Sequence, residues 1–290
     1  MEKREFCFAG IEIEVNMPKE RFYKDEYRLA PFRVNKLESP HKMTFRWVDE
    51  LSEPKGELVD KMVSTHIYVN NDEQIRYLSV MGTDWKNASV RVSHKGKVHD
   101  VEVSKSSFPE NIGLKTVLEC MSLEYLLVDV EGFVLHCSYI EIDGKAILFT
   151  APSETGKSTQ ADLWKKHKGA TIVNGDRAGV RWVDNQLIAE GIPFAGSSEY
   201  CLNRSVPVQA IVYLDQAPTT SIRRLDGYEA FSSIWKGCSV NPWNRSDVEQ
   251  ISANVMRVAK EIPVFYLACT PDESAVIALE KALVESEDVR

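Results

Sequence analysis

The chain reads Ala146-Ile147-Leu148-Phe149-Thr150 and then Ala151-Pro152-Ser153-Glu154-Thr155-Gly156-Lys157-Ser158-Thr159. An apolar run, a set of turn residues and Gly-Lys-Ser predict a buried strand, a tight turn and a helix that opens at Gly156-Lys157-Ser158. The N–H groups of a helix N-terminus point at an anion, and the helix dipole adds to the attraction. We therefore predict a phosphate-binding loop, in which Lys157 reaches the β- and γ-phosphates and Ser158 ligates Mg²⁺. The predicted nucleotide-binding residues are Ala151, Ser153, Glu154, Thr155, Gly156, Lys157, Ser158 and Thr159.

The motif departs from the usual pattern at two positions. Ala151 stands where the first glycine is common, which adds only a methyl group. Glu154 stands where a glycine often lies, and its carboxylate would repel phosphate oxygens unless it faces a cation or points away. An ordinary helix N-terminus, with Ser153 or Thr155 as cap and an incidental Gly-Lys-Ser, is the alternative interpretation.

Composition limits the classes of protein to consider. With 290 residues and 43% hydrophobic content, the chain can bury a large core, and two domains are expected. A net charge of −8 argues against a nucleic-acid-binding surface. No apolar run approaches the roughly 20 residues of a membrane span, and the N-terminus lacks the apolar segment of a secretory signal. Six scattered cysteines without a C-x-x-C pair favour buried thiols in a reducing compartment, so we expect a cytoplasmic protein.

The two halves of the chain differ in their patterns. Short alternating runs separated by turn residues predict strands at 5–15, 43–47, 65–69, 75–80, 90–92 and 97–103. Beyond Pro109 the pattern becomes mixed, with a helix predicted over 114–127 and strands over 133–140 and 146–149, joined by a hairpin turn at Asp143-Gly144. We therefore predict a β-rich accessory domain at 1–110 and an α/β nucleotide-binding domain at 111–290.

A strand, a tight hairpin and a strand leading into the loop differ from the parallel layout of most nucleotide triphosphatases. Together with His136 and Gly156-Lys157-Ser158, this layout resembles the P-loop core of bacterial HPr serine kinase/phosphorylase. That fold, with its mixed sheet, is shared in outline with ATP-dependent phosphoenolpyruvate carboxykinase. The separation from His136 to Lys157, 157 − 136 = 21 residues, fits the family spacing.

The resemblance covers about residues 124–285 and implies further roles. In HPr kinases the next strand ends in paired aspartates, and here only Asp176 is retained, followed by Arg177. The resemblance implies Asp176 as base or metal ligand, His136 as an active-site residue, and ATP and Mg²⁺ as cofactors. It is closest to HPr-kinase-like proteins, some of whose relatives phosphorylate peptide serines. A carboxykinase is disfavoured, because the chain is short and shows no recognisable metal-ligand set or substrate-binding arginine pair.

The residues themselves leave alternatives open. A carboxylate at the end of a buried strand can hold Mg²⁺ or accept a hydroxyl proton, but Asn174-Gly175-Asp176 could also be a plain turn. His136 on a strand could equally be a core histidine. The stretch from Glu190 to Ser198 contains glycines and serines that could let its backbone approach phosphates or an acceptor, or it could be a plain surface loop. Arg204 could neutralise charge on a transferred phosphoryl group, or lie in solvent. Near the C-terminus, Ser246 and Glu249 predict a capping box at a helix over 246–260.

Two classes of function follow from these residues. The first is a kinase that transfers the γ-phosphoryl group of ATP to a hydroxyl acceptor: a serine of a protein or peptide, or a small alcohol. In it Asp176, His136 and Lys157 are catalytic and Ser158 and Asp176 hold Mg²⁺. The second is a nucleotide-binding regulatory or assembly module without efficient transfer, which Glu154 and the single aspartate favour. The sequence leaves open the identity of the acceptor, the choice between ATP and GTP, and whether the chain forms a homo-oligomer.

Overall fold

The computed structural model describes residues 1–21, 28–79, 85–93, 97–108 and 114–287. These residues form two compact units, Met1–Leu123 and Glu124–Arg290. The predicted domain boundary, between residues 110 and 111, lies outside the described residues. Among the described helices, none is long and apolar enough to cross a membrane. No disulfide joins the six cysteines, all of which are described.

The first unit is built around a mixed eight-stranded sheet with the order β1-β2-β3-β8-β7-β6-β5-β4. Strands β2, β3 and β8 run parallel to one another, and the remaining neighbours are antiparallel. Alternate residues of each strand face the core, as in β2, where Ile11, Ile13 and Val15 are buried. The elements are β1 Glu2–Phe8, β2 Ile11–Met17, β3 His41–Val48, β4 Glu57–Lys61, β5 Thr65–Val69, β6 Glu73–Ser79, β7 Lys86–Ser93, β8 Val98–Ser104 and the helix α1 Leu114–Met121.

A buried histidine pair joins two strands of this sheet. His41 Nδ1 lies 3.0 Å from His99 Nε2, and both side chains are almost inaccessible. Burial and the charge of Lys97 lower the pKa of His41 to about 4. Burial and the neighbouring His41 and Arg76 lower the pKa of His99 to about 3. The folded protein therefore keeps both rings neutral at pH values where an exposed histidine, with a pKa near 6.5, takes up a proton.

This pair predicts a loss of stability in acid. As the pH falls from about 6.5 toward 4, the unfolded chain binds protons that the folded chain does not, so the free energy of unfolding must decrease. We expect a decrease of at least about 1.4 kcal/mol, the equivalent of one pKa unit, in denaturant titrations across this range. His99→Gln should flatten this dependence, whereas the control His66→Gln, on β5 and outside the pair, should retain it. An equally steep dependence in His99→Gln would contradict the assignment.

The second unit is a mixed nine-stranded sheet with helices packed on it. Strand β14 pairs with β13 through its first residues and with β10 through later ones, so that β10, β9, β12, β13 and β14 close into a ring. Strands β17 and β15 extend the sheet beyond β14. Its strands are β9 Gly132–Ile142, β10 Lys145–Thr150, β11 Thr171–Asn174, β12 Arg177–Val183, β13 Gln186–Glu190, β14 Ser205–Gln216, β15 Ser221–Leu225, β16 Cys238–Ser239 and β17 Val264–Cys269.

Apolar residues on the two faces of this sheet form two cores. One contains Leu148 and Ile211 together with Ile251 of a helix, and the other contains Phe149 and Val212. Because neighbouring residues of one strand enter different cores, the central strands are apolar without alternation. The helices are α2 Leu123–Leu126, α3 Lys157–Lys168, α4 Gly227–Trp235, α5 Arg245–Glu261 and α6 Glu273–Glu287.

Most predicted elements of this unit have counterparts in the structure, and one cap was wrongly predicted. Asp143 and Gly144 both have positive φ and connect β9 to β10, as expected for the hairpin turn. Ser246 is not the cap of α5. The cap is Asn244, whose side chain accepts hydrogen bonds from the N–H groups of Ser246 and Asp247, because the helix begins one residue before Ser246.

Candidate functional site

The loop between β10 and α3, called here the GKS loop (residues 151–156), begins at a firmly held strand. Residues 146–150 of β10 pair with β9 on one side and with β14 on the other. Helix α3 begins at Lys157, and its N-cap residue Gly156 has φ +110° and offers no side-chain cap. The N–H groups of Lys157, Ser158 and Thr159 precede the first helical hydrogen bond, from Gln160 N–H to the Gly156 carbonyl, and have no capping side chain at Gly156. This end of α3 can bind an anion.

Lys157 is buried in the GKS loop. Its side chain is 8% exposed, and Nζ donates hydrogen bonds to the carbonyl oxygens of Ala151 and Pro152, both at 3.0 Å. Burial lowers the pKa of this ammonium from its usual value, although the charge of Asp176 acts in the opposite direction. The cation is thus held by neutral carbonyl groups, and a phosphate in the cleft would be a stronger partner for it.

Glu154 adopts a backbone conformation that glycine usually provides. Its φ is +64°, in the left-handed region, and its carbonyl oxygen accepts a hydrogen bond from Gln216 Nε2 at 3.3 Å. The side chain is exposed at the mouth of the cleft. The loop therefore keeps its turn in spite of the missing glycine, with a carboxylate where a phosphate-binding loop ordinarily has none.

Asp176 lies between a histidine and an arginine. His136 Nε2 is 3.2 Å from Asp176 Oδ1, and Arg177 Nε donates to Asp176 Oδ2 at 2.7 Å. Partial burial raises the pKa of the Asp176 carboxyl, but the hydrogen bond from His136 and the charge of Arg177 outweigh it and lower this pKa to about 2. At neutral pH Asp176 is consequently ionised and held in one orientation. Such a carboxylate can ligate a cation or accept a hydrogen bond from a hydroxyl.

The buried amide of Asn174 organises the turn before Asp176. Asn174 Oδ1 accepts from the N–H groups of Asp176 and Arg177, at 3.0 and 3.1 Å. Its Nδ2 donates to the carbonyl oxygens of Ile192 and Phe194, at 3.0 and 2.9 Å. Asn174-Gly175-Asp176 is thus a turn, as the plain interpretation of the sequence had it, and this turn also holds Asp176 in the cleft. Sequence reasoning assigned no role to Asn174, because only the fold brings residues 192–194 to it.

One cleft of about 440 Å³ unites most of the predicted site. Its lining includes the predicted residues His136, Ser153, Glu154, Lys157, Ser158 and Asp176. Ala151, Thr155, Gly156 and Thr159 belong to the same loop and helix start but do not line it. Arg204 is not brought into the cleft, and its Nε lies 3.5 Å from Glu141 Oε2 on β9.

The cleft also has walls that the sequence did not fully predict. Ser197 and Ser198, singled out as a loop that could approach an acceptor, line it together with Glu199 and Tyr200. Asp162, one turn into α3, contributes a further carboxylate. The Tyr200 hydroxyl accepts a hydrogen bond from Lys165 Nζ of α3 at 3.0 Å. The acidic and hydroxyl-bearing side chains of this wall have no motif by which the sequence alone would identify them.

The donors present suit Mg²⁺ bound together with a substrate better than a closed metal site. Among the described residues, no group of three or more His, Cys, Asp or Glu side chains could hold a metal ion. Ser158 and Asp176 nevertheless line the same cleft. Mg²⁺ is commonly held by one or two protein oxygens, with phosphates and waters completing its octahedron. A hydroxyl and an ionised carboxylate fit that pattern.

Comparison with known proteins identifies the family. Residues 102–283, more than half of the chain, match the family model described as ScmC, SynChlorMet cassette protein ScmC. The chain therefore belongs to the ScmC family. No curated protein matches the chain. Among solved structures, the Hpr(Ser) kinase/phosphatase from Coxiella burnetii is similar at 14% identity, over 54% of this chain and 90% of that one, with a TM-score of 0.32. At that score we infer nothing about function from it.

Proposed function

We propose that the second unit of this ScmC-family chain is an ATP- and Mg²⁺-dependent kinase that phosphorylates a hydroxyl, with a serine of a protein or peptide as the preferred acceptor. One observation carries the proposal: Lys157, at the open N-terminus of α3, lines the same cleft as the ionised carboxylate of Asp176. Phosphoryl transfer requires mainly positioning and charge stabilisation, and these groups supply both. The domain assignment, 1–110 as accessory and 111–290 as kinase, and a cytoplasmic location belong to the same proposal.

The proposal assigns roles to residues of the cleft and of the adjoining loop and helix start. The first turn of α3 and Lys157 bind the phosphates, with Ser153 and Thr155 in the loop and Thr159 in the helix supporting that turn. Ser158 and Asp176 would hold Mg²⁺, which neutralises phosphate charge when bound. Asp176 accepts a hydrogen bond from the acceptor hydroxyl and receives its proton as the new O–P bond forms, while the bond between the γ-phosphorus and the bridging oxygen breaks and ADP leaves. His136 and Arg177 hold the carboxylate of Asp176 in place.

A second candidate function has its own supporting observation. Arg177 occupies one oxygen of Asp176, and a pKa of about 2 makes this carboxylate a weak base in the structure described here. Glu154 adds a negative charge at the cleft mouth. Both favour a module that binds nucleotide and regulates or assembles without transferring phosphate efficiently.

One experiment separates the two functions. The purified chain is incubated with γ-labelled ATP and Mg²⁺, alone and with a degenerate peptide library that has a single central serine. Labelled peptide, above the level formed by a Lys157→Ala variant, supports the kinase. ATP binding without labelled peptide and without release of labelled phosphate supports the regulatory module. Absence of ATP binding would contradict both proposals.

A further inference from the structure

The segment Gly191–Leu202 is attached to the Asp176 turn along its length. Asn174 Nδ2 donates hydrogen bonds to the carbonyl groups of Ile192 and Phe194. The N–H of Leu202 donates to the carbonyl of Val173 at 2.9 Å. Asn174 itself is fully buried. The segment is therefore fixed at both ends to the strand that leads to Asp176.

Two glycines set how closely the segment approaches that turn. A Cβ atom on Gly196 would lie 2.7 Å from the Asp176 carboxyl carbon, so the backbone of the segment rests against the carboxylate. A Cβ atom on Gly175 would lie 2.2 Å from Ser198 Oγ. Neither position has space for a side chain, and the following residues, 197–200, line the cleft.

We propose that residues 197–200 form the acceptor side of the cleft and that Asn174 is the positioning residue that sets this wall against Asp176. The inference rests on the proposed kinase function. A hydroxyl that gives its proton to Asp176 must lie within about 3.2 Å of the carboxylate. Besides His136 and Arg177, which hold that carboxylate by hydrogen bonds, the segment around Gly196 packs against it, whereas the nucleotide phosphates are assigned to the GKS loop. The acceptor must therefore contact the 197–200 wall.

Asn174→Asp tests the positioning role with little change in side-chain size. A carboxylate at this position can still accept from the N–H groups of Asp176 and Arg177, but it cannot donate to Ile192 and Phe194 unless protonated. The Phe194 carbonyl then loses this donor, and the Ile192 carbonyl keeps only the weak thiol donor of Cys201, so the wall should loosen from the turn. Asn254→Asp is the matched control, because Asn254 Nδ2 likewise donates to a backbone carbonyl, that of Glu131 at 3.0 Å, and Asn254 does not line the cleft.

Gly196→Ala tests the wall independently of Asn174. The added methyl group should push residues 197–200 away from Asp176. Gly144→Ala is its control: Gly144 also has a positive φ, +72° compared with +52°, but a Cβ there meets no atom within 4 Å. The two alanines thus introduce comparable backbone strain, and only one displaces the wall.

The readouts are ATP affinity by calorimetry, labelled transfer to the serine peptide library, and hydrogen exchange of residues 191–202. In Asn174→Asp and Gly196→Ala we expect kcat/KM for the peptides to fall at least about tenfold, or 1.4 kcal/mol, and ATP affinity to stay within about twofold. Exchange of the segment should become faster in Asn174→Asp. In both control variants, kcat/KM for the peptides should stay within about twofold of the wild-type value.

The possible failures are distinguishable. Two results would overturn the acceptor assignment without contradicting the proposed kinase function. One is a kcat/KM for the peptides that stays at the wild-type level in both variants. The other is an ATP affinity that falls by the same factor as kcat/KM. Unchanged hydrogen exchange in Asn174→Asp would overturn the positioning role of Asn174. Wild-type protein that binds ATP but labels no peptide would overturn the proposed function itself, and the acceptor wall with it.

Discussion

Asp176→Asn should lower phosphoryl transfer by about 10² or more, the usual scale for removing a general base. If Asp176 acts chiefly as that base, ATP binding should change little. The substitution keeps the size of the side chain, so the hydrogen bonds of Asn174 and the backbone of the turn can persist. It removes the negative charge that His136 and Arg177 hold in place. Steady-state transfer to the serine peptide library and calorimetric titration with ATP and Mg²⁺ measure the two quantities separately.

The same variant distinguishes a base from a metal ligand. If Asp176 chiefly holds Mg²⁺, the Mg²⁺-dependent part of ATP affinity should fall together with the rate. Asp162→Asn is the matched control, because Asp162 is an exposed carboxylate that lines the same cleft. It should leave transfer within about threefold of wild type, given that exposed charges interact weakly. Full activity in Asp176→Asn would exclude this residue from the chemistry.

Lys157→Ala should weaken binding of ATP with Mg²⁺ by at least about tenfold, or roughly 1.4 kcal/mol. Among the residues that line the cleft, Lys157 is the only lysine or arginine. Its hydrogen bonds to Ala151 and Pro152 place the ammonium within the GKS loop. Little reorganisation is then needed to meet a phosphate, which favours a large effect of its removal.

Loss of those two hydrogen bonds could also loosen the loop, so thermal unfolding of the variant must be measured alongside its affinity. Lys166→Ala provides the comparison, because Lys166 is exposed on the same helix and does not line the cleft. Its ATP affinity should equal that of the wild type. An unchanged affinity in a folded Lys157→Ala variant would mean that nucleotide binds elsewhere.

The sequence predicted the parts of the site that depend on local signals. An apolar run followed by Gly156-Lys157-Ser158 was enough to predict a strand, a loop and a helix start, because each is encoded within a few residues. The turn at Asp143-Gly144 was predicted for the same reason. The roles of Lys157, Ser158, His136 and Asp176 were predicted from motif and resemblance, and they stay proposals that the experiments above address.

Features that depend on distant residues were missed. The edge strands Glu57–Lys61 and Ser221–Leu225 are polar and largely exposed, so they lack the alternation by which strands are recognised. Asn174 resembled an ordinary turn residue, since its partners Ile192 and Phe194 come from another part of the chain. Arg204 resembled a phosphate ligand, but the ring of strands places its guanidinium beside Glu141.

The double pairing of β10 has a consequence for the order of folding. Its pairing with β9 closes a short hairpin, whereas its pairing with β14 joins Ala146 to Val208 and encloses the whole intervening chain. Closing so long a loop costs more entropy than closing the hairpin, so the parallel partner is expected to arrive late. The strand that leads into the GKS loop is then complete only when the second unit has nearly finished folding. A nucleotide that binds only the finished loop would draw the whole unit toward its native state by mass action. Competence to bind nucleotide would therefore mark the last step of maturation of the newly made chain.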